Sequence, residues 1–137
     1  MKISTKTRYG LRALAYIAKS NKYCSTNEVA KAENISFDYL EKIFSTLKKA
    51  KILKAQLGNQ GGYALAKPIG KITAGEVMRT LEGTLAPVMC VAYEKDKHIH
   101  CERSKDCITK KIWFIVQENL LKTLNSITLD KLINNSI

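Results

Sequence analysis

Three cysteines in the second half of the chain are the residues best suited to chemistry. Ten residues separate Cys90 from Cys101, and five separate Cys101 from Cys107. Thiolates are soft ligands for zinc and iron–sulfur clusters, and they can also be oxidised reversibly. The spacing matches no compact zinc-ribbon or ferredoxin motif, so cluster ligation, a zinc site and thiol oxidation all stay open at this point. His98 and His100 lie in the same segment as candidate fourth ligands.

The chain is expected to be a cytoplasmic protein without a membrane partner. No apolar run approaches the about 20 residues that a spanning helix needs, and no signal peptide is recognisable. In a reducing compartment, clustered cysteines more often bind metal or carry redox chemistry than form a disulfide framework. The fourth cysteine, Cys24, stands apart, and we expect it to be a small, partly buried residue.

Positive charge is concentrated in the first half of the chain. The 137 residues carry a formal net charge of +11. Residues 1–72 contain 14 Lys and Arg against 4 Asp and Glu, whereas residues 73–137 contain 9 against 8. The surface that binds a polyanion is therefore predicted in the first half, and double-stranded DNA is the expected partner.

The first half shows the pattern of a helix-turn-helix. Apolar residues recur at helical spacing over residues 3–19 and predict a first amphipathic helix. A capping-box pattern over residues 25–28, in which Glu28 reaches back to the cap, predicts a second helix that ends near Ala32. Residues 36–49 predict a third helix, with Ser36 as its N-cap. Its buried stripe is predicted to be Phe37, Leu40, Ile43, Phe44 and Leu47.

A β-hairpin is predicted after the third helix. Two alternating runs, residues 52–56 and 63–66, flank the glycine-rich segment 58–62. Behind a helix-turn-helix, such a hairpin forms a wing. A second capping-box pattern at Thr73 predicts a further helix, which Gly83 ends.

The second half combines an irregular segment with a long helix. Residues 84–106 show little periodicity, and a loop of that length is expected to be functional or mobile. From Lys110 onward the apolar pattern predicts a long helix, but residues 113–116 are consecutively apolar. One small core could not cover all sides of such a helix, so we expect a partner subunit in a homodimer.

These elements predict a mainly α-helical chain with one small β-hairpin. The predicted organisation is a winged helix-turn-helix DNA-binding domain over residues 1–83, a cysteine-containing sensor loop over residues 84–108, and a dimerisation helix with a C-terminal segment over residues 109–137. The pattern does not favour an enzyme, because the sequence contains no nucleophile beside a base and no phosphate-binding loop.

Polar residues of the third helix and the basic residues around it are the candidate DNA contacts. The recognition helix of this motif enters the major groove, while lysine and arginine side chains bind phosphates. Four residues are expected to face outward toward base edges: Asp38, Tyr39, Glu41 and Lys42. Glu41 could accept a hydrogen bond from a cytosine amino group. The other candidates are Lys2, Lys6, Arg8, Ser36, Lys48, Lys49, Asn59 and Gln60.

Several short motifs occur in the order found in one family of bacterial regulators. They are Met1-Lys2-Ile3-Ser4-Thr5-Lys6, Tyr9-Gly10, Tyr39-Leu40-Glu41, Gly61-Gly62-Tyr63-Ala64-Leu65, Thr73-Ala74-Gly75-Glu76 and Asn125-Ser126-Ile127-Thr128-Leu129. No single motif is decisive, but their order is specific and covers nearly the whole chain. On these residues the chain resembles the Rrf2 family of transcription regulators.

The resemblance implies a winged-helix homodimer that binds a palindromic operator, with one half-site for each protomer. It also implies that Cys90, Cys101 and Cys107 hold an iron–sulfur cluster, as in the cluster-containing members of the family. The known fourth ligands of those members are not matched, because Lys110 stands where one type has a histidine and Arg8 where another has an aspartate. A 2Fe–2S cluster is expected ahead of a 4Fe–4S cluster.

The sequence therefore predicts a DNA-binding transcription regulator that senses iron–sulfur, redox or nitric oxide status through its cysteines. One alternative is a cluster-free repressor of the same family, controlled by thiol oxidation or by a protein partner on the C-terminal half. Cys24 lies near the place where such members can carry a single redox-active thiol. A second alternative is an adaptor whose basic face is incidental.

Overall fold

The computed structural model describes residues 2–94, 97–98 and 101–137. Within them the chain is mainly α-helical with two small antiparallel hairpins, as predicted for the first of these. The helices are α1 (Thr5–Ser20), α2 (Thr26–Glu33), α3 (Phe37–Lys49), α4 (Ala74–Glu82), α5 (Lys110–Ser126) and α6 (Leu129–Ile133). The strands are β1 (Leu53–Gln56), β2 (Gly62–Leu65), β3 (Tyr93–Glu94) and β4 (Lys97–His98).

Serine caps fix where the first helices begin. Ser4 accepts from a backbone amide of the first turn, so α1 begins at Thr5 instead of residue 3. Ser25 accepts from the amide of Glu28 at 3.1 Å, which confirms the predicted cap of α2. The reciprocal half of the capping box is replaced, because the Glu28 carboxylate accepts from the Tyr16 hydroxyl and pairs with Lys22.

The core lies where α1 packs against α2, α3, α4 and the first hairpin. Leu14 of α1 and Phe44 of α3 are completely buried. Four residues of the predicted stripe on α3 are buried: Leu40, Ile43, Phe44 and Leu47. The prediction is wrong for Phe37, which is 45% exposed. Phe37 is the first residue of α3, at the edge where the helix has not yet reached the core.

After α5 the chain returns to this core. The amide of Ala74 donates to the carbonyl of Ile127 at 2.8 Å, and the amide of Leu129 donates to the carbonyl of Ile72 at 2.9 Å. Leu129 is 1% exposed and belongs to the core that surrounds α1. The segment 109–137 therefore has two structural parts, a long helix and a terminal piece that packs on the core of residues 1–83, which we call the head.

The long helix α5 contains no buried residue. Its apolar side chains lie open to solvent in the single chain, with exposed fractions of 54% for Ile112, 36% for Trp113, 42% for Phe114, 50% for Ile115 and 40% for Val116. This agrees with the expectation that one protomer cannot cover the helix. None of the helices in the described part of the chain is long and apolar enough to span a membrane.

The segment before α5 is largely irregular, as predicted. Its regular parts are a short 3₁₀ turn at Met89–Val91 and the hairpin that pairs β3 with β4. The 3₁₀ turn packs against α5. The 3₁₀ turn therefore contacts the long helix in space, although the helix begins only at Lys110, later in the sequence.

Gly62 lies where the first hairpin contacts the segment before α2. Its φ angle is +144°, and a Cβ atom at this position would lie 2.2 Å from the carbonyl oxygen of Cys24. Beside it, Cys24 and Tyr63 exchange two backbone hydrogen bonds of 2.9 and 2.8 Å. Glycine is required here for both the backbone conformation and the close approach.

We expect Gly62→Ala to lower the free energy of unfolding by about 2 kcal/mol or more. A strained backbone angle costs about 1–3 kcal/mol, and the clash with a backbone carbonyl adds to it. Urea unfolding followed by circular dichroism measures the change. Gly70→Ala is the control, because its Cβ would find its nearest neighbour at 3.8 Å. Equal losses in the two variants would contradict the role of Gly62.

Candidate functional site

The exposed side of α3 carries part of the predicted DNA interface. Ser36 forms the N-cap of the helix. Asp38 and Lys42 are exposed in its first half, and Lys48 and Lys49 are exposed at its C-terminal end. The helix thus presents polar and cationic side chains from its first turn to its last.

Tyr39 and Glu41 differ from the predicted outward orientation. The ring of Tyr39 packs edge-to-face against the ring of Tyr9, with centroids 5.9 Å apart. Glu41 is half-buried and accepts a hydrogen bond from the Thr26 hydroxyl. Helical spacing placed both residues on the polar face, but each is held by a neighbouring helix. Of the four residues predicted to face outward, Asp38 and Lys42 are exposed, whereas Tyr39 and Glu41 are half-buried.

The basic start of the chain is held in place by a carboxylate. Lys2 and Arg8 are exposed and Lys6 is half-exposed at the beginning of α1. Glu82, the last residue of α4, accepts from the Ser4 amide at 2.8 Å and from the Ser4 hydroxyl at 2.7 Å. These bonds fix the start of α1, and the three cations lie within four residues of Ser4.

The environment of Glu82 stabilises its ionised form. Burial alone would raise the pKa of Glu82, but hydrogen bonds from Thr7 and Ser4 and the charge of Lys6 outweigh that effect. The pKa of Glu82 therefore lies below its ordinary value of 4.5. The folded protein therefore favours the ionised form of the Glu82 carboxylate.

The wing, residues 53–65, carries the remaining candidates at its tip. Strands β1 and β2 pair from Leu53↔Leu65 to Gln56↔Gly62. Asn59 and Gln60 lie in the turn between them, and both are exposed. Polar side chains therefore project from the end of the hairpin.

The three clustered cysteines lie at three different places in the segment before α5. Cys90 lies in the 3₁₀ turn that packs against α5, Cys101 follows the second hairpin, and Cys107 precedes the first turn of α5. All three are half-buried free thiols. Within the described residues, no three His, Cys, Asp or Glu side chains lie close enough together to hold a metal ion. The side chains of His98 and His100 lie outside the described part of the structure.

The surroundings of Cys107 favour its thiolate form. Its sulfur lies 3.2 Å from the Thr109 hydroxyl oxygen. This hydrogen bond, the backbone amides of Thr109 and Lys110 and the charge of Arg103 together lower the pKa of Cys107. Thiolates bind metals and react with oxidants, whereas thiols do so poorly. The donor set therefore suits an iron–sulfur cluster in its chemistry, although the three sulfurs are not assembled.

Cys24 behaves differently. It is completely buried, and burial raises the pKa of its thiol. It belongs to the core around α1, which agrees with its expected role as a small packed residue.

Comparison with known proteins identifies the family. A family model described as Rrf2, an iron-dependent transcriptional regulator, matches residues 3–135. The chain belongs to the Rrf2 family. It is a transcriptional regulator and not an enzyme, and regulators of this family act on DNA.

Individual relatives resemble the chain over almost its full length. It is 36% identical to Protein rrf2 of Nitratidesulfovibrio vulgaris, across 99% of this chain and 89% of that protein. The structure of CymR, the global cysteine regulator of B. subtilis, matches with a TM-score of 0.78 and 34% identity, covering 98% of both chains. T. potens IscR matches with a TM-score of 0.77 and 29% identity, covering 100% of this chain and 89% of that one. These matches confirm the winged helix-turn-helix fold.

Sequence reasoning missed the residues that hold the interface in place. Glu82 is 78 positions from Ser4, and Thr26 is 15 positions from Glu41. No local pattern links residues so far apart. Glu82 could have attracted notice only as an acidic residue at the end of a helix, where a negative charge is usually unfavourable.

We expect Glu82→Gln to destabilise the Rrf2-type head by about 1 kcal/mol at pH 7, since the amide keeps an acceptor but loses the charge. Because the folded-state pKa of Glu82 is lowered, the advantage of the wild type is present above the unfolded-state pKa. It is lost as the pH falls through the lower folded-state pKa.

Urea unfolding at a series of pH values checks this prediction. Glu118→Gln, which removes an exposed carboxylate of α5, serves as the control. A difference between Glu82→Gln and the wild type that persists unchanged at pH 2 would contradict the assigned role of the charge.

Proposed function

We propose that this Rrf2-family protein binds a palindromic operator as a homodimer and responds through Cys90, Cys101 and Cys107. Each protomer places α3 in the major groove of one half-site and its wing against the neighbouring backbone. The observation that carries the DNA-binding part is the row of exposed polar and cationic side chains along α3: Asp38, Lys42, Lys48 and Lys49.

Base edges are read from the first half of α3. Asp38 accepts from the cytosine amino group, while Lys42 donates to guanine acceptors. Glu41 uses one carboxylate oxygen to accept from Thr26, so its second oxygen is left for a base. Tyr39, packed against Tyr9, reaches DNA only through its hydroxyl edge.

Backbone contacts come from three places on the head. The start of α1, the two ends of α3 and the wing tip each present donors, which makes these three elements the sources of the contacts. Phosphate contacts of this kind position the protein without reading the sequence. The residues assigned to them are Lys2, Lys6, Arg8, Ser36, Lys48, Lys49, Asn59 and Gln60.

The homodimer is supported by α5. Its side chains Ile112, Trp113, Phe114, Ile115 and Val116 are all exposed, and soluble monomers rarely leave so much clustered apolar surface in water. A second copy of the same helix is chemically suited to cover it, because an isologous contact pairs the same patch with itself. In this assignment residues 1–83 bind DNA, residues 84–108 sense, and α5 within residues 109–137 dimerises.

A preferred operator, selected from random duplexes, tests the DNA-binding proposal. We expect a complex of two protomers per duplex and clear preference over a scrambled sequence. If three of the five assigned cations of each protomer neutralise a phosphate, Lys48 and Lys49 among them, log affinity should fall against log salt with a slope of about −5. The double variant Lys48→Gln, Lys49→Gln should bring the slope near −2, because four contacts are lost per dimer.

The control for this experiment is the double variant Lys105→Gln, Lys122→Gln, which removes two exposed cations outside the proposed interface. It should keep the wild-type slope. If both double variants change the slope equally, the end of α3 does not contact phosphate. A slope near zero for the wild type would contradict the whole proposed DNA-binding surface.

For the sensor we propose an iron–sulfur cluster held by Cys90, Cys101 and Cys107, a 2Fe–2S cluster ahead of a 4Fe–4S cluster, with His98 or His100 as candidate fourth ligand. Three free thiols, one of them with a lowered pKa, support this assignment, as does the family's description as iron-dependent. Such a cluster would supply redox chemistry and reactivity toward oxygen or nitric oxide.

The chain's own residues would couple ligation to the dimer. Cys107 is fixed to the first turn of α5 by its hydrogen bond with Thr109, and the turn that carries Cys90 packs on the same helix. Because the sulfurs are separated in the described structure, drawing them together has to move the loop against α5. The rival regulation, by thiol oxidation or by a protein partner on the C-terminal half, needs no such assembly.

Anaerobic purification distinguishes the two forms of regulation. We expect visible absorption with bound iron and sulfide in the wild type. Cys90→Ala, Cys101→Ala and Cys107→Ala should each lose the colour, because each removes a soft ligand. The matched control is Cys24→Ala, which removes a buried thiol and should keep the colour. A wild type that stays colourless after reconstitution with iron and sulfide would instead favour regulation by oxidation or by a partner.

A further inference from the structure

A cleft opens on the head where the end of α1 faces the wing. Its volume is about 660 Å³, and we call it the lysine cleft. Its walls come from α1 (Ile17, Ala18), from β1 (Lys54) and from β2 (Ala64, Leu65). None of the clustered cysteines and none of the residues assigned to DNA lines it. The cleft is therefore separate from both sites described above.

The lining of the lysine cleft combines apolar surface with positive charge. Leu65 and Ile69 provide half-buried apolar walls, with the buried Ile17 behind them, while Lys22, Lys54 and Lys67 provide ammonium groups. No aspartate or glutamate is among the lining residues. Sites for small ligands typically occupy about 300–1,000 Å³ and combine an apolar lining with a few polar groups. The lysine cleft has both the size and the composition of such a site.

One of the three lysines is available to a ligand. Lys22 pairs with Glu28 at 3.3 Å, and Lys67 pairs with Glu76 at 2.5 Å. Lys54 forms no ion pair within the described residues, and its ammonium group lies 5.8 Å from the centre of the Tyr23 ring. An exposed cation beside an aromatic ring is readily redirected to a carboxylate, since the ring contact is weak.

We propose that the lysine cleft binds a small organic carboxylate with an apolar body. The carboxylate pairs with Lys54, and the apolar body lies against Leu65 and Ile69. Inorganic anions would leave the apolar walls uncovered, and neutral apolar molecules would leave Lys54 without a partner. The charge and the lining together select an amphipathic acid.

Occupancy of the cleft would alter the position of the wing. Its walls belong to α1 on one side and to β1 and β2 on the other, so a ligand between them fixes the distance of the wing from the core. A shift of the wing changes how its tip meets the DNA backbone. This consequence rests on the proposed DNA-binding function, whereas binding of the carboxylate does not.

Isothermal titration calorimetry of the full chain without DNA tests the proposal. The probes are octanoate and phenylacetate, which distinguish an aliphatic from an aromatic body, with octylammonium as the cationic counterpart of octanoate. We expect at least one acid to bind and octylammonium not to. Lys54→Gln should weaken binding at least about tenfold, and Ala64→Phe, which fills the cleft, should abolish it. Lys71→Gln removes an exposed lysine outside the lining and should leave affinity unchanged.

Three results would each overturn the proposal: no binding of either acid at millimolar concentration, equal binding of octylammonium, or affinity that neither Lys54→Gln nor Ala64→Phe changes. Thermal unfolding verifies that Ala64→Phe is folded, and Lys54→Gln alters only an exposed side chain. The same preparations are titrated with the selected operator, with and without saturating acid. Operator binding without acid binding refutes the cleft alone, and acid binding without operator binding refutes the DNA-binding proposal alone.

Discussion

The burial of Leu129 in the core around α1 constrains the rest of the molecule. This residue follows the long helix in sequence but completes the hydrophobic core of the head. Backbone hydrogen bonds on either side of it join the segment after α5 to the segment before α4. Because these bonds lie at the end of α5, the C-terminal end of that helix is fixed against the head. These hydrogen bonds therefore fix the direction in which α5 leaves the core.

The close contact of α4 with α5 strengthens this attachment. A Cβ atom at Gly75 would lie 2.2 Å from the side-chain oxygen of Asn125, so α5 approaches where α4 has no side chain. The same oxygen accepts from Arg79 at 3.1 Å. No residue of α5 is buried, and the apolar side chains of residues 112–116 are exposed within the protomer. The feature that stabilises the head thus also creates the apolar surface available to a second chain.

Local signals in the sequence were sufficient for most of the fold. Serine and threonine caps, glycine positions and hydrophobic spacing act within a few residues, so α2, α3, α4 and the wing could be predicted from the sequence. Phe37 was misplaced because spacing alone does not show where a helix enters the core. Glu41 was misplaced for a related reason, since its partner Thr26 belongs to another helix.

Contacts between distant segments could not be predicted from local sequence patterns. The pairing of Ser4 with Glu82 and the lysine cleft, whose lining runs from residue 17 to residue 69, exist only after the helices have packed. The role of the cysteines could be predicted only in part. Their chemistry is evident from residue type, but their spacing does not determine how three separate segments approach one another.

The two ends of α5 differ in a way that bears on regulation. Asn125 fixes the C-terminal end to α4, while Cys107 lies just before the N-terminal end and Cys90 belongs to a turn packed on the helix. An α-helix of 17 residues is about 25 Å long and transmits displacement along its axis. Under the proposed regulation, a change at the cysteines would move α5 about its fixed end. That movement would act first on the exposed apolar face of α5 and only indirectly on α3. The proposed regulation would therefore act on the relative position of two protomers and so on the spacing of their recognition helices on DNA.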